Sequence, residues 1–291
     1  MKNIVTSVVL ASLALLAEDQ TRADNNVKIH RELRLASTKL LGLISLDKAS
    51  YFPGEEIRVT VTFSNPEKTA LRVINPFNVG IGSVFFIGKG FNPMQSMQSF
   101  SAPAADLSPL GPDEVTTFSP GEVKTMTFDS SRPGGFASAP KDSGPFRIVY
   151  RYLNLEANFE VREAAIDSFV EVVVPAARTS ASRKRILEKG ETLAQHAFTL
   201  KDSEGYQLCV QVNEMVPIAK YRRFQALRTE RADSKVLTHY LAPFRCLETS
   251  PTRITEIDLS FGNDGTMLVI GKREGASMLS FRLNEANKRI P

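Results

Sequence analysis

The chain has no tryptophan, only two cysteines and only three histidines in 291 residues. Each scarcity removes a class of chemistry. Without Trp, the core has to be built on the 18 Phe and on branched aliphatic residues. Cys209 and Cys246 are too far apart for a CxxC redox motif or a zinc knuckle. His30, His196 and His239 are scattered, so no HExxH metal helix can be written. Neither a GxSxG nucleophile elbow nor a GxxxxGK[ST] phosphate loop occurs. Asp142-Ser143-Gly144-Pro145 lacks the glycines that flank a trypsin-like nucleophile and reads as a turn. Asn263-Asp264-Gly265 lacks the alternating acidic ligands of a calcium loop. No metal site and no cofactor is expected. The paired carboxylates Glu55-Glu56 and Asp113-Glu114 fall at turns, where solvation accounts for them.

Long apolar runs are also missing, with one exception at the start. Ile4 to Ala17 carries no charge and follows Lys2. It is shorter than the roughly 20 residues that span a bilayer as a helix. Small residues follow at Ala17 and Ala23. This three-part pattern predicts a signal peptide over residues 1–23. The mature chain is then exported, periplasmic or extracellular, with no transmembrane anchor. Export makes a Cys209–Cys246 disulfide chemically possible; two separate buried thiols are the alternative.

A hydrophobic content of 42% and a charged content of 23% fit an ordinary globular protein. The net charge of +4 is unevenly spread. Residues 1–175 carry 17 Lys/Arg against 19 Asp/Glu, and residues 176–291 carry 19 against 13. The excess sits in Arg183-Lys184-Arg185 and in Lys220, Arg222, Arg223, Arg228 and Arg231. Such a cluster either attracts an anionic partner or is a solvated surface. No nucleic-acid recognition motif accompanies it, so nucleic acid is not expected as a partner.

Alternation gives the clearest structural signal. Ile57, Val59, Val61 and Phe63 alternate with Arg58, Thr60 and Thr62, the period of a half-buried strand. Leu41–Leu46, Ala70–Ile74, Ser83–Ile87, Val123–Phe128, Phe146–Tyr152 and Phe169–Val174 read as further strands. Turns at Phe52-Pro53-Gly54-Glu55 and Ser119-Pro120-Gly121-Glu122 echo each other. Short strands spaced by Gly/Pro turns predict a β-sandwich over residues 41–175. Residues 24–40 read as a strand or a short helix. Residues 176–194 read as a linker with a short helix.

Residues 195–291 read as a small antiparallel β domain. His196–Leu200, Tyr206–Val212, Phe224–Arg228 and Val236–Leu241 are strand-like. Ile254–Phe261 and Met267–Ile270 flank an Asp264-Gly265 turn, a strong hairpin signal. Ser277–Leu283 is the last strand expected.

The stretch Asp47-Lys48-Ala49-Ser50-Tyr51-Phe52-Pro53-Gly54-Glu55-Glu56, followed by alternating β-branched residues, resembles the first hairpin of bacterial immunoglobulin-like and macroglobulin-type domains. Phe118–Glu122 and Gly144–Tyr150 resemble the second half of the sandwich in the bacterial intracellular proteinase inhibitor family. The resemblance covers residues 41–174 and implies an immunoglobulin-like sandwich and protease binding. Two departures stand against it. The thioester sequence of macroglobulins is absent, since Val210 follows Cys209 and Leu247 follows Cys246. Phe146 stands where a tyrosine corner would begin, with Tyr150 and Tyr152 further on.

The long Pro/Gly/Ser-rich segment 88–116 mixes in Phe91, Met94, Met97, Phe100, Leu107 and Leu110. A long loop on a rigid sandwich is a common binding device, and Met and Phe make adaptable contacts. Those apolar residues can equally tuck back onto the sandwich. The expected function is an exported, non-catalytic binding or accessory protein for an unknown protein or glycan, with no catalytic residues. The alternatives are a protease inhibitor, suggested by the resemblance, and an envelope hydrolase using His196 or His239 with a distant carboxylate.

Overall fold

The computed structural model describes residues 25–78, 84–88, 110–130, 139–174, 189–190, 192–212, 218–230, 233–262, 264–275, 277–284 and 288–291. The protein is mainly β. Helix α1 (25–37) opens the described chain, which settles the choice left open for residues 24–40. There follow β1 (Leu41–Leu46), β2 (Ser50–Tyr51), β3 (Arg58–Ser64), β4 (Leu71–Ile74), β5 (Val84–Gly88), β6 (Val115–Phe118), β7 (Val123–Asp129), β8 (Gly144–Tyr150) and β9 (Leu155–Val161). These strands lie in sheets ordered β1-β3-β7, β4-β6 and β2-β9-β8-β5.

The rest of the chain supplies two four-stranded sheets. The first joins β10 (Ala165–Val173), β11 (Ala194–Asp202), β12 (Gly205–Gln211) and β13 (Phe244–Ser250) in that order. The second joins β14 (Ile254–Phe261), β15 (Met267–Arg273), β16 (Met278–Leu283) and β17 (Arg289–Ile290). Helices α2 (Ile218–Thr229) and α3 (Ser234–Leu241) lie between β12 and β13 in sequence.

The chain divides into two compact units, each made of separated segments. One holds Met1–Ser45, Thr60–Thr127 and Val149–Ala157; the other holds Leu46–Val59, Phe128–Ile148 and Asn158–Pro291. In the first, Phe63 meets Tyr152 and Phe77 edge-on at 5.3 and 5.6 Å. The opposite face of β3 sets Thr62 beside Thr125, hydroxyl to hydroxyl at 3.0 Å. Tyr150 and Tyr152 donate to the carbonyls of Pro76 and Ile74. Burial pushes the Tyr152 phenol up to about 12, so it remains a donor at any physiological pH.

Three turns share one device, in which a Glu carboxylate accepts the amide three residues earlier. Phe52 N donates to Glu55, Ser119 N to Glu122 and Gly111 N to Glu114, at 3.0, 2.7 and 2.7 Å. In the two Pro-Gly-Glu turns the glycine has φ +83° (Gly54) and +71° (Gly121), a region that side chains avoid. Asn65 anchors the second of these turns. It is buried, its Nδ2 donates to the carbonyls of Thr69, Phe118 and Ser119, and its Oδ1 accepts from Glu67 N. Asn65→Ala leaves these groups short of partners in an apolar setting. A loss of about 2 kcal/mol is expected in urea unfolding; an unchanged midpoint would show that water replaces the amide.

In the second unit the β10–β13 sheet is covered on both faces. Ala197, Leu208 and Val210 pack against Leu259, Val269, Phe281 and Leu283 of the last sheet. Phe198, Leu200, Cys209 and Phe244 pack against Phe224 of α2 and Leu241 of α3. Cys209 and Cys246 are cross-strand partners of β12 and β13 and are disulfide-bonded.

Two expectations are corrected. Phe224–Arg228 and Val236–Leu241 are helical, in α2 and α3. Their apolar residues serve a helix face laid on the sheet. The α2 sequence is also rich in helix formers, Ala, Lys, Arg, Gln and Leu, and Asp233 caps α3 by accepting from Lys235 N at 3.0 Å. Glu55 and Glu56 are not solvated; they are 1% and 6% exposed. The strand read from sequence as Phe169–Val174, the end of the first run, is β10 (Ala165–Val173) and pairs antiparallel with β11.

Candidate functional site

The sequence-predicted site residues Phe91, Met94, Met97, Phe100 and Leu107 lie outside the described residues, as do residues 1–23 and most of 176–194. Leu110 is half-buried. Of the histidines, His30 is half-buried on α1, and His239 on α3 faces the Lys141 carbonyl. His196 alone sits in a polar centre.

That centre follows from strand register. Glu171 of β10 is the direct cross-strand partner of His196 of β11. Extending the β11–β12 register one step beyond Ala197↔Val210 sets Gln211 on the other side of His196. Directly opposed residues on one face of a sheet bring their side chains together. His196 Nε2 lies 2.9 Å from Glu171 Oε2, and Nδ1 faces Gln211 Oε1. Gln211 Nε2 points the other way, to the Tyr240 carbonyl at 3.4 Å, which fixes its amide oxygen toward the ring. Both ring nitrogens therefore face side-chain oxygens.

Helix α2 closes the centre from above. Tyr221 donates to Glu171 Oε1 at 3.0 Å, and Gln225 Nε2 reaches Oε1 and Oε2 at 3.0 and 2.9 Å. Phe224 meets the His196 ring edge-on at 4.9 Å. Burial by itself pushes the Glu171 carboxyl up. The hydrogen bond and charge of His196, the Tyr221 hydroxyl and the field of Arg228 outweigh it and hold the carboxyl below its ordinary range. His196 is 1% exposed, and no Ser, Thr or Cys among the described residues hydrogen-bonds to it. Glu171, His196 and Gln211 each stand among apolar neighbours in their strands, but other polar residues, such as Ser168, Gln195 and Gln207, do so too, so the sequence did not single them out.

A second polar centre binds the first Pro-Gly-Glu turn. Glu55 pairs with Lys48 and accepts from Phe52 N. Burial pushes its carboxyl up while Lys48 opposes the shift. Glu56 pairs with Arg245 of β13, whose guanidinium also lies 3.9 Å from Asp129. Asp129 accepts from Arg58 Nε at 2.9 Å and raises the Arg58 pKa. The turn reaches β13 through backbone bonds as well, Glu56 N to Phe244 O at 2.7 Å.

Elsewhere, Phe261, Asp264 and Arg282 line a shallow hollow at the β14–β15 hairpin. Thr266 first and Arg282 next hold Asp264 down at about 2, so this pair is charged at neutral pH. Among the described residues, no three of His, Cys, Asp and Glu gather in a metal-holding group, and no helix is long and apolar enough to cross a membrane.

The outer face of α2 differs from everything beneath it. Ala219, Arg222, Arg223, Ala226 and Thr229 are exposed and recur at helical spacing, while Phe224 is buried. The helix holds Lys220, Arg222, Arg223 and Arg228 and no acidic residue. Two guanidinium groups are stacked on aromatic rings: Arg223 over Tyr240 at 5.7 Å and Arg228 over Phe169 at 4.6 Å.

No family model matches the chain, and no curated protein matches it. Among solved structures, the sporulation control protein Spo0M from Bacillus subtilis matches at 13% identity and a TM-score of 0.22, over 84% of this chain and 90% of that one.

Proposed function

We propose that this is an exported, non-catalytic binding protein. One observation carries the reading: among the described residues, the buried Glu171–His196 and Glu55 centres are hydrogen-bonded to protein partners. Both ring nitrogens of His196 and both oxygens of Glu171 are hydrogen-bonded within the fold. Glu55 spends its two oxygens on Lys48 and the Phe52 amide. A general base needs a free lone pair within reach of a substrate proton. Glu55 and His196 are each 1% exposed, out of a substrate's reach, and both centres serve instead to fix secondary elements. Export rests on the charge and apolar pattern of residues 1–23.

The test joins two assays. Fusing residues 1–23 to a phosphatase that is active only outside the cytoplasm is expected to give an active reporter; a silent fusion overturns export. The exported protein is expected to bind envelope ligands saturably without consuming ester, glycoside or peptide substrates. His196→Gln keeps a polar, uncharged side chain in the sheet and is expected to leave binding within twofold of wild type. Turnover by the wild type that disappears in His196→Gln would establish the hydrolase reading in its place.

A further inference from the structure

We infer that the outer face of α2 is a docking surface for an anionic polysaccharide, a partner class that rests on the exported, non-catalytic reading above. The argument starts from what the helix has already committed. Its inner face is spent on the sheet: Phe224 is buried among Phe198, Leu200 and Phe244, and Tyr221 and Gln225 are bonded to Glu171. What remains outward is Arg222 and Arg223, flanked by Ala219 and Ala226 one turn to either side. The alanines leave the guanidinium heads as the only large groups on the stripe.

Two of the helix's guanidinium groups are held in place. Arg223 lies across Tyr240 and Arg228 across Phe169, so part of the freedom that an arginine loses on binding is already lost. Neither Arg222 nor Arg223 forms an ion pair with a described residue, so their charge is unspent. Planar guanidinium forks match carboxylate and sulfate oxygens two at a time. An adjacent pair of such forks on a helix, with Arg228 one turn further on, complements a polymer with repeated anionic groups.

A lipid surface fits less well. An interfacial helix buries large apolar side chains among the acyl chains, and this stripe exposes only alanines. The large apolar residue of α2 that could insert, Phe224, is 3% exposed and belongs to the core.

The experiment uses the full chain purified after export, with heparin and polygalacturonate as sulfated and carboxylated probes. Neutral dextran and vesicles of phosphatidylglycerol with phosphatidylcholine are the comparisons. Binding to both anionic polymers is expected at low salt, weakening steeply as salt rises, with none to dextran. Arg222→Glu with Arg223→Glu should weaken binding at least tenfold, and Arg222→Lys with Arg223→Lys should retain part of it. Both sites are exposed, so the melting temperature should hold. Arg34→Glu with Lys39→Glu changes the net charge equally at exposed sites on or near α1 and should leave binding intact.

No polymer binding overturns the inference, as does equal weakening by the two charge reversals, or binding to vesicles but not to polysaccharide. Polymer length is followed in the same samples. Shortening of the polymer with binding still dependent on Arg222 and Arg223 would overturn the non-catalytic reading and leave the α2 docking surface standing.

Discussion

Replacing Arg245 with methionine is expected to cost about 3–5 kcal/mol, the largest loss of any single change considered. The guanidinium is the partner of Glu56, which is 6% exposed, and it also lies 3.9 Å from Asp129. Methionine has a similar length and fills the space, so packing survives while the charge balance does not. Glu56 stays out of water with this ion pair gone, and the Coulomb attraction of Arg245 no longer offsets its desolvation. Asp129 keeps Arg58 at 2.9 Å and suffers less. Denaturant midpoints provide the measurement. Adding Glu56→Gln to Arg245→Met removes the buried charge, and the double variant should recover a substantial part of the loss. A midpoint for Arg245→Met that stays near wild type would mean that water reaches Glu56 and that the pair is superficial.

The Glu171–His196 pair should give the second large effect, about 2–3 kcal/mol for Glu171→Gln near neutral pH. Glutamine keeps one acceptor for Tyr221 but no charge for His196. The loss also has a pH signature. Folding lowers the Glu171 pKa, so the folded state holds the proton less tightly than the unfolded chain does. Its stabilisation is therefore complete above the unfolded carboxylate value of about 4.3 and fades as the pH falls through the lower folded value. The gap in melting temperature between wild type and Glu171→Gln should be widest near neutrality and close in acid. A gap that stays constant from pH 7 to pH 3 would assign the effect to shape, not to charge.

What could be read from the chain depended on how local the cause was. The β3 alternation, the Asp264-Gly265 hairpin and the Pro-Gly-Glu turns are fixed within a few residues, and each was legible. The α2 and α3 segments were misread because short windows such as Phe224–Arg228 hold too few apolar positions to separate a period of 3.6 from a period of 2. The Asp233 cap was the local signal that could have separated them. Glu55 and Glu56 were misplaced for the opposite reason. Nothing near them in sequence predicts burial; they are buried because the turn seats on Phe244 and Arg245 of β13. The His196 centre was half legible. His196 stood out as one of three histidines, but the register that brings Glu171 and Gln211 to it was not visible.

The Glu56–Arg245 contact joins positions 189 apart in sequence. Closing so long a loop costs chain entropy before any contact can compensate, and proteins dominated by such pairings fold slowly. The second unit cannot finish its buried charge cluster until Arg245 of β13 has been made, so Glu56 has no pairing with it while the whole stretch between them is synthesised.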